Sequence, residues 1–191
     1  MATSDNLLKM LREVPVPMIG NRRQFVTWLK FLHGIMRAAE PLLEIAASRS
    51  TGALRAYYLE AQLEEHDHAR WLEEDLATLG ETPYVIDHAT AATAGAQYYY
   101  LQHVGPHALL GYKAALEFHP MPLASVEELE RLYGKDALRT VRYHAEHDSN
   151  HWDALARVID MFEEQARVIV YSALLTARMM GFYLTERMRH G

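Results

Sequence analysis

Cysteine is missing altogether from this 191-residue chain. Its absence excludes a disulfide framework, a thiolate metal ligand and a cysteine nucleophile, leaving histidine and carboxylate to hold any transition metal. Basic runs are missing too: Lys and Arg number 19 against 25 Asp and Glu, a formal net charge of −6. A chain so balanced has no electrostatic grip on a phosphate backbone, and nucleic acid is not expected as a partner. No apolar stretch reads as a membrane span, and MATSDNLLKMLREV at the start lacks the basic, apolar, small-residue order of a secretory signal. The expectation is therefore a cytoplasmic protein with no membrane partner. Val-rich or alternating runs between turn residues, the mark of strands, do not occur either.

What remains is a chain half of whose residues are apolar, enough to bury a sizeable core in one domain over residues 1–191. Apolar residues recur at spacings of three and four from Gln24 to Arg187, so the expected fold is all-α. Pro15, Pro17 and Gly20 separate a short first helix from a long second one beginning near Asn21, which Pro41 is expected to kink or break. Thr51-Gly52 opens a helix expected to run to Leu79, stopped by Gly80 and Pro83. Gly105-Pro106 divides the next region into a piece near residues 90–103 and another from Pro106 to His119, ended by Pro120 and Pro122. Ser125 and Glu128 have the spacing of a capping box, a helix follows Gly134, and the last helix turns back near residues 160–166.

The stretch RYHAEHDSNHWDAL, residues 142–155, gathers imidazoles and carboxylates without glycine or proline. At about 100° per residue, His144, Asp148 and His151 fall on one helical face, in line with Val141, Leu155, Val158 and Phe162. Glu146 lies on the opposite side and His147 flanks the stripe. Buried polar groups are costly unless paired, and a divalent ion satisfies two imidazoles and a carboxylate together. A hydrogen-bonded core network, or a helix rotated toward water, would account for the same pattern.

A second interrupted stripe runs through Tyr58, Ala61, Glu65, His68, Leu72, Leu76 and Leu79. Glu60, Glu64, His66, Asp67, Glu73 and Glu74 fall outside it and read as a solvated face. A third element, PHALLGYKAALEFHP, places Glu117 at the end of a small apolar face carrying Leu110 and Ala114. Together Glu65, His68, Glu117, His144, Asp148 and His151 make three histidines and three carboxylates. That set exceeds what one substrate-binding ion needs and suits two ions sharing a carboxylate, with iron or manganese favoured and zinc also compatible.

Three blocks, LEEHDHARWLEEDLATLG, QYYYLQHVGPHALLGYKAALE and HAEHDSNH, resemble the heme-oxygenase-like di-iron oxidases and oxygenases, also labelled iron-containing redox enzymes. The resemblance covers residues 58–151 and implies a heme-oxygenase-like helical bundle of about seven helices. It also implies two Fe(II) ions, or an iron and manganese pair, with dioxygen as co-substrate and a small organic substrate such as an amino acid or a fatty acid. Carried over, Glu65, His68 and His144 would serve one ion, Asp148 and His151 the other, with Glu117 bridging or completing the second. Some relatives place the first glutamate seven residues before its histidine, where this chain has Ala61, and Glu64 is the nearest substitute for Glu65. Tyr58 and Tyr112 are candidate hydrogen-bond donors or oxidisable groups beside the metals, with core packing as their other reading. A homodimer is expected from the resemblance alone. Thiaminase II-like proteins of similar fold use a cysteine that this chain lacks. The alternatives are a metal-free, cofactor-independent oxidase of the same fold and a non-catalytic helical protein that sequesters iron.

Overall fold

Asn21 opens the longest helix: its extended backbone turns into α2 (Arg22–Ser48), and its side chain accepts a 3.0 Å hydrogen bond from the Gln24 amide. The computed structural model describes residues 2–15, 19–85, 87–118 and 121–190, with the side chains of residues 148–150 and 190 outside that description. Nine α-helices and no strand occur among the described residues, in keeping with the all-α expectation. Besides α2 these are α1 (Thr3–Arg12), α3 (Gly52–Glu64), α4 (His68–Thr78), α5 (His88–His103), α6 (Ala108–Glu117), α7 (Leu123–Tyr133), α8 (Arg139–Asp160) and α9 (Ala166–His190).

Several boundaries differ from the sequence reading. Pro41 lies inside α2 without ending it. The helix expected from Thr51 to Leu79 is two helices, because Asp67 adopts a left-handed backbone, φ 68°, between α3 and α4. Aspartate tolerates that conformation better than most residues, so no glycine was needed to mark the break. Ser125 is not a cap: α7 already begins at Leu123, behind Pro122, and its first turn makes no side-chain cap hydrogen bond. The turn near 160–166 is present as a short 3₁₀ segment, Glu163–Gln165, leading into α9.

Two apolar clusters form the interior. The larger joins Leu7, Leu11, Phe31, Leu42, Tyr58, Leu110, Leu155 and Ile169, and so draws on α1, α2, α3, α6, α8 and α9. The smaller joins Phe25 and Leu29 of α2 to Leu72 and Leu76 of α4, Val126 of α7 and Val141 of α8. Trp28 packs against both. Each fully buried leucine contributes about 2 kcal/mol of transfer free energy, which offsets the cost of ordering the helices that carry it.

α6 is buried at every position from Ala108 to Ala115 and makes its closest approach to α9 at Gly111. A Cβ added there would stand 2.0 Å from the Ile169 carbonyl oxygen, so only glycine lets these two backbones meet. A buried polar seam joins α5 to α9: Ser172 Oγ donates to Gln97 Oε1 at 3.1 Å, and Gln97 Nε2 donates to Thr176 Oγ1 at 3.2 Å. The segment Glu163–Arg189 is long and apolar enough by length and composition to cross a membrane, contrary to the sequence reading that no such stretch exists. Its buried residues Ile169, Ala173 and Ala177 belong to the larger core, a role that selects the same composition.

Candidate metal centre

The break between α3 and α4 builds the centre. Glu65 sits at the C-terminal end of α3 and His68 begins α4, with the left-handed Asp67 between them. The chain reverses enough for Glu65 Oε2 to lie 3.2 Å from His68 Nδ1. His68 is 2% exposed, and its ring stands edge-on to His144 of α8 with centroids 4.9 Å apart and planes at 81°. Trp71 and Tyr143 close the outer side, with ring centroids 4.8 and 5.1 Å from His68. Glu65, His68 and His144 thereby each offer one ligand atom within 4.8 Å of the others.

The donor set fits a divalent ion. Two imidazoles and a carboxylate, His68 buried and Glu65 and His144 half-buried, suit iron, manganese or zinc. The 3.2 Å contact between Glu65 Oε2 and His68 Nδ1 joins two of these ligand groups directly, and an ion held by both would take the place of that hydrogen bond.

Of the six expected ligands, these three stand together. Glu117 is buried beside them but is joined to Glu65 through Lys113, whose Nζ lies 2.9 Å from Glu65 Oε1 and 2.5 Å from Glu117 Oε1. His151 is outside the cluster, and its Nε2 lies 3.9 Å from Oε2 of Glu64 on α3. Both neighbouring glutamates therefore face α8 residues, Glu65 toward His144 and Glu64 toward His151, one helical stretch apart. Asp148 lies on α8 between them, and its side chain is outside the described residues. Glu146 is exposed, and His147 donates from Nδ1 to the Tyr143 carbonyl at 2.7 Å while stacking on the Tyr143 ring.

Lys113 was not anticipated from the sequence. The signal was its position four residues before Glu117 on a helix otherwise wholly apolar, the spacing of an intrahelical ion pair. Burial disfavours its charge, but the carboxylates of Glu117 and Glu65 outweigh that and hold its pKa well above the ordinary value. Burial likewise opposes ionisation of Glu65, yet Lys113, the His68 hydrogen bond and His144 hold its carboxyl well below the usual range. Tyr57 was also missed. Burial and then the nearby charge of Glu117 push its hydroxyl pKa upward, so it stands beside the same cluster as a neutral phenol. Tyr58, by contrast, faces the core and donates to the Pro106 carbonyl at 2.7 Å. Glu73 is exposed, as read, and its Oε1 also reaches Nε2 of the buried His33 at 2.9 Å.

A cavity of about 820 Å³ opens on the cluster between the two apolar cores. Glu65, Lys113, Glu117 and His144 line one part, and Trp28, Leu32, Leu43, Leu116, Phe118 and Met180 line the apolar remainder. Tyr112 also lines it, and its hydroxyl is buried without a hydrogen-bond partner among the described residues. A more open surface groove carries Glu74, Glu130, Arg139 and Arg142, whose charges pair with one another: Arg139 to Glu74 at 2.8 Å and Arg142 to Glu130 at 2.6 Å. The apolar cavity is thus the one with a chemically distinct wall. Comparison of the chain with family models, with curated proteins and with solved structures finds no match.

Proposed function

We propose that this protein is a non-heme di-iron enzyme of the heme-oxygenase-like kind, with an iron and manganese pair as the other metal form, that uses dioxygen to oxidise or oxygenate a small organic substrate. The observation that carries the reading is the Glu65, His68 and His144 cluster, with His68 buried and the other two half-buried, beside a mostly apolar cavity. Bound there, the metals would supply the redox chemistry that no side chain of this chain can perform on dioxygen. The chain's own residues hold and shield the reacting centre. His68 and His144 offer ring nitrogens, Glu65 offers a carboxylate oxygen, and Trp71 and Tyr143 pack against the His68 ring. Tyr112 offers a hydroxyl to a polar group of the substrate, and the apolar wall takes a hydrocarbon or aromatic portion, as in an amino acid or fatty acid.

The test is a titration with Fe(II) under argon, followed by mixing with oxygenated buffer. Uptake of about two equivalents with subsequent oxygen consumption is the expected result. Metal binding with no oxygen consumption would favour iron sequestration instead.

Lys113 supports a second reading. Its ammonium gives the buried Glu117 and the half-buried Glu65 a charge partner without metal, which a cofactor-independent oxidase of the same fold would require. Under that reading no Fe(II) is taken up, and oxygen consumption with the organic substrate survives prolonged treatment with chelator.

A further inference from the structure

Resting on the metal-dependent reading above, we infer that Lys113 is a resident cation in the position of the second metal ion, and that a second divalent ion binds only by displacing it. Glu65 directs one carboxylate oxygen to His68 of the cluster and the other to Lys113 Nζ. An ion held between Glu65 and His68 would replace the hydrogen bond on the first side, and Glu65 would then give one oxygen to each of two cations. The ammonium therefore stands on the side of Glu65 away from His68, where a shared carboxylate would present its second ion. Glu117 completes that position from the far side of the ammonium, 2.5 Å from Nζ.

The ammonium is bound as a metal would be, by two carboxylates, Glu117 buried on α6 and Glu65 half-buried at the end of α3, with its own side chain 7% exposed. It cannot remain while a divalent ion occupies the same carboxylates, because two cations at hydrogen-bond distance repel in a site poor in water. Displacement has a route: Lys113 lines the cavity, and its four-carbon stem is flexible enough to swing the ammonium away from the two carboxylates. Loading is thus sequential: the first ion binds at Glu65, His68 and His144, and the second competes with Lys113.

The experiment is calorimetric titration of the wild type and of Lys113→Met with Mn(II), together with thermal melting before and after metal. The wild type is expected to bind one ion tightly and a second at least about tenfold more weakly. Lys113→Met is expected to tighten the second event by at least about tenfold, with a smaller change in the first, whose ligand Glu65 also touches Lys113. Metal-free Lys113→Met should melt below the wild type, and Mn(II) should close the gap. If that variant does not fold without metal, Lys113→Met/Glu117→Gln relieves the uncompensated charge and should bind a single ion. Two equally tight ions in the wild type, or a second event weakened or unchanged by Lys113→Met, would overturn the displacement while leaving the metal reading in place. No Mn(II) bound by any of these proteins would overturn both.

Discussion

His68, the first residue of α4, and His144, in the first half of α8, hold their imidazole rings almost perpendicular with centroids 4.9 Å apart. A nitrogen of each ring and a carboxylate oxygen of Glu65 thereby lie within 4.8 Å of one another. His68→Ala or His144→Ala should each weaken the tightest metal event by about a hundredfold or more while leaving the helical circular dichroism unchanged. His147→Ala should leave metal affinity as it was, since that ring bonds to the Tyr143 carbonyl. Equal effects from all three variants would show that the loss is structural.

The contact of α6 with α9 depends on a missing side chain. Gly111→Ala would drive a methyl to 2.0 Å from the Ile169 carbonyl oxygen, and since the obstruction is backbone, the helices must separate. A loss of about 3 kcal/mol in urea denaturation is expected. Gly95→Ala, on the exposed side of α5 with nothing near its added methyl, should instead stabilise by about 1 kcal/mol.

Asp75 is buried and accepts a 2.9 Å hydrogen bond from the Thr140 amide in the first turn of α8. Burial raises its pKa, and the Thr140 hydrogen bonds offset this only in part. A carboxyl with a raised pKa in the folded state takes up its proton before the unfolded chain does as pH falls. Wild-type stability should therefore rise, relative to Asp75→Asn, as pH falls through the folded value toward the ordinary aspartate value of about 3.9. Above that window the difference should be constant, with Asp75→Asn the more stable. Urea denaturation of both proteins across the acid range measures this; a wild type that loses ground as pH falls would show Asp75 held ionised instead.

The left-handed Asp67 sets the angle between Glu65 and His68. Asp67→Gly should raise the melting temperature, because glycine enters that region without steric cost, and should preserve metal binding. Asp67→Val should lower the melting temperature and weaken the first metal event together, since a β-branched residue resists positive φ and would pull His68 away from Glu65. Metal binding unaffected by Asp67→Val would detach the turn from the site.

Much of the centre was legible because helical periodicity is a local property. Buried Leu155 and Val141 share the face of His144, and Glu146 is exposed, as a 3.6-residue repeat requires. The stripe through Tyr58, Ala61, His68, Leu72 and Leu76 is buried although the helix it was read from is broken. The break itself was not legible, because an aspartate in a left-handed turn leaves no glycine or proline behind it. Asp148 remains a reading of the sequence, its side chain lying outside the described residues.

The sequence by itself determined the all-α class, the absence of thiolate chemistry and the inward faces of the histidine helices, all of which follow from residue type and short-range spacing. Only the tertiary structure decided what meets across those faces. Lys113 reaches Glu65 from a point 48 residues away, His151 turns to Glu64 rather than Glu65, and Gly111 admits the backbone of Ile169. Such meetings depend on how far each helix slides and rotates against its neighbours, and that register is fixed by close packing of the whole interior rather than by any one segment's pattern.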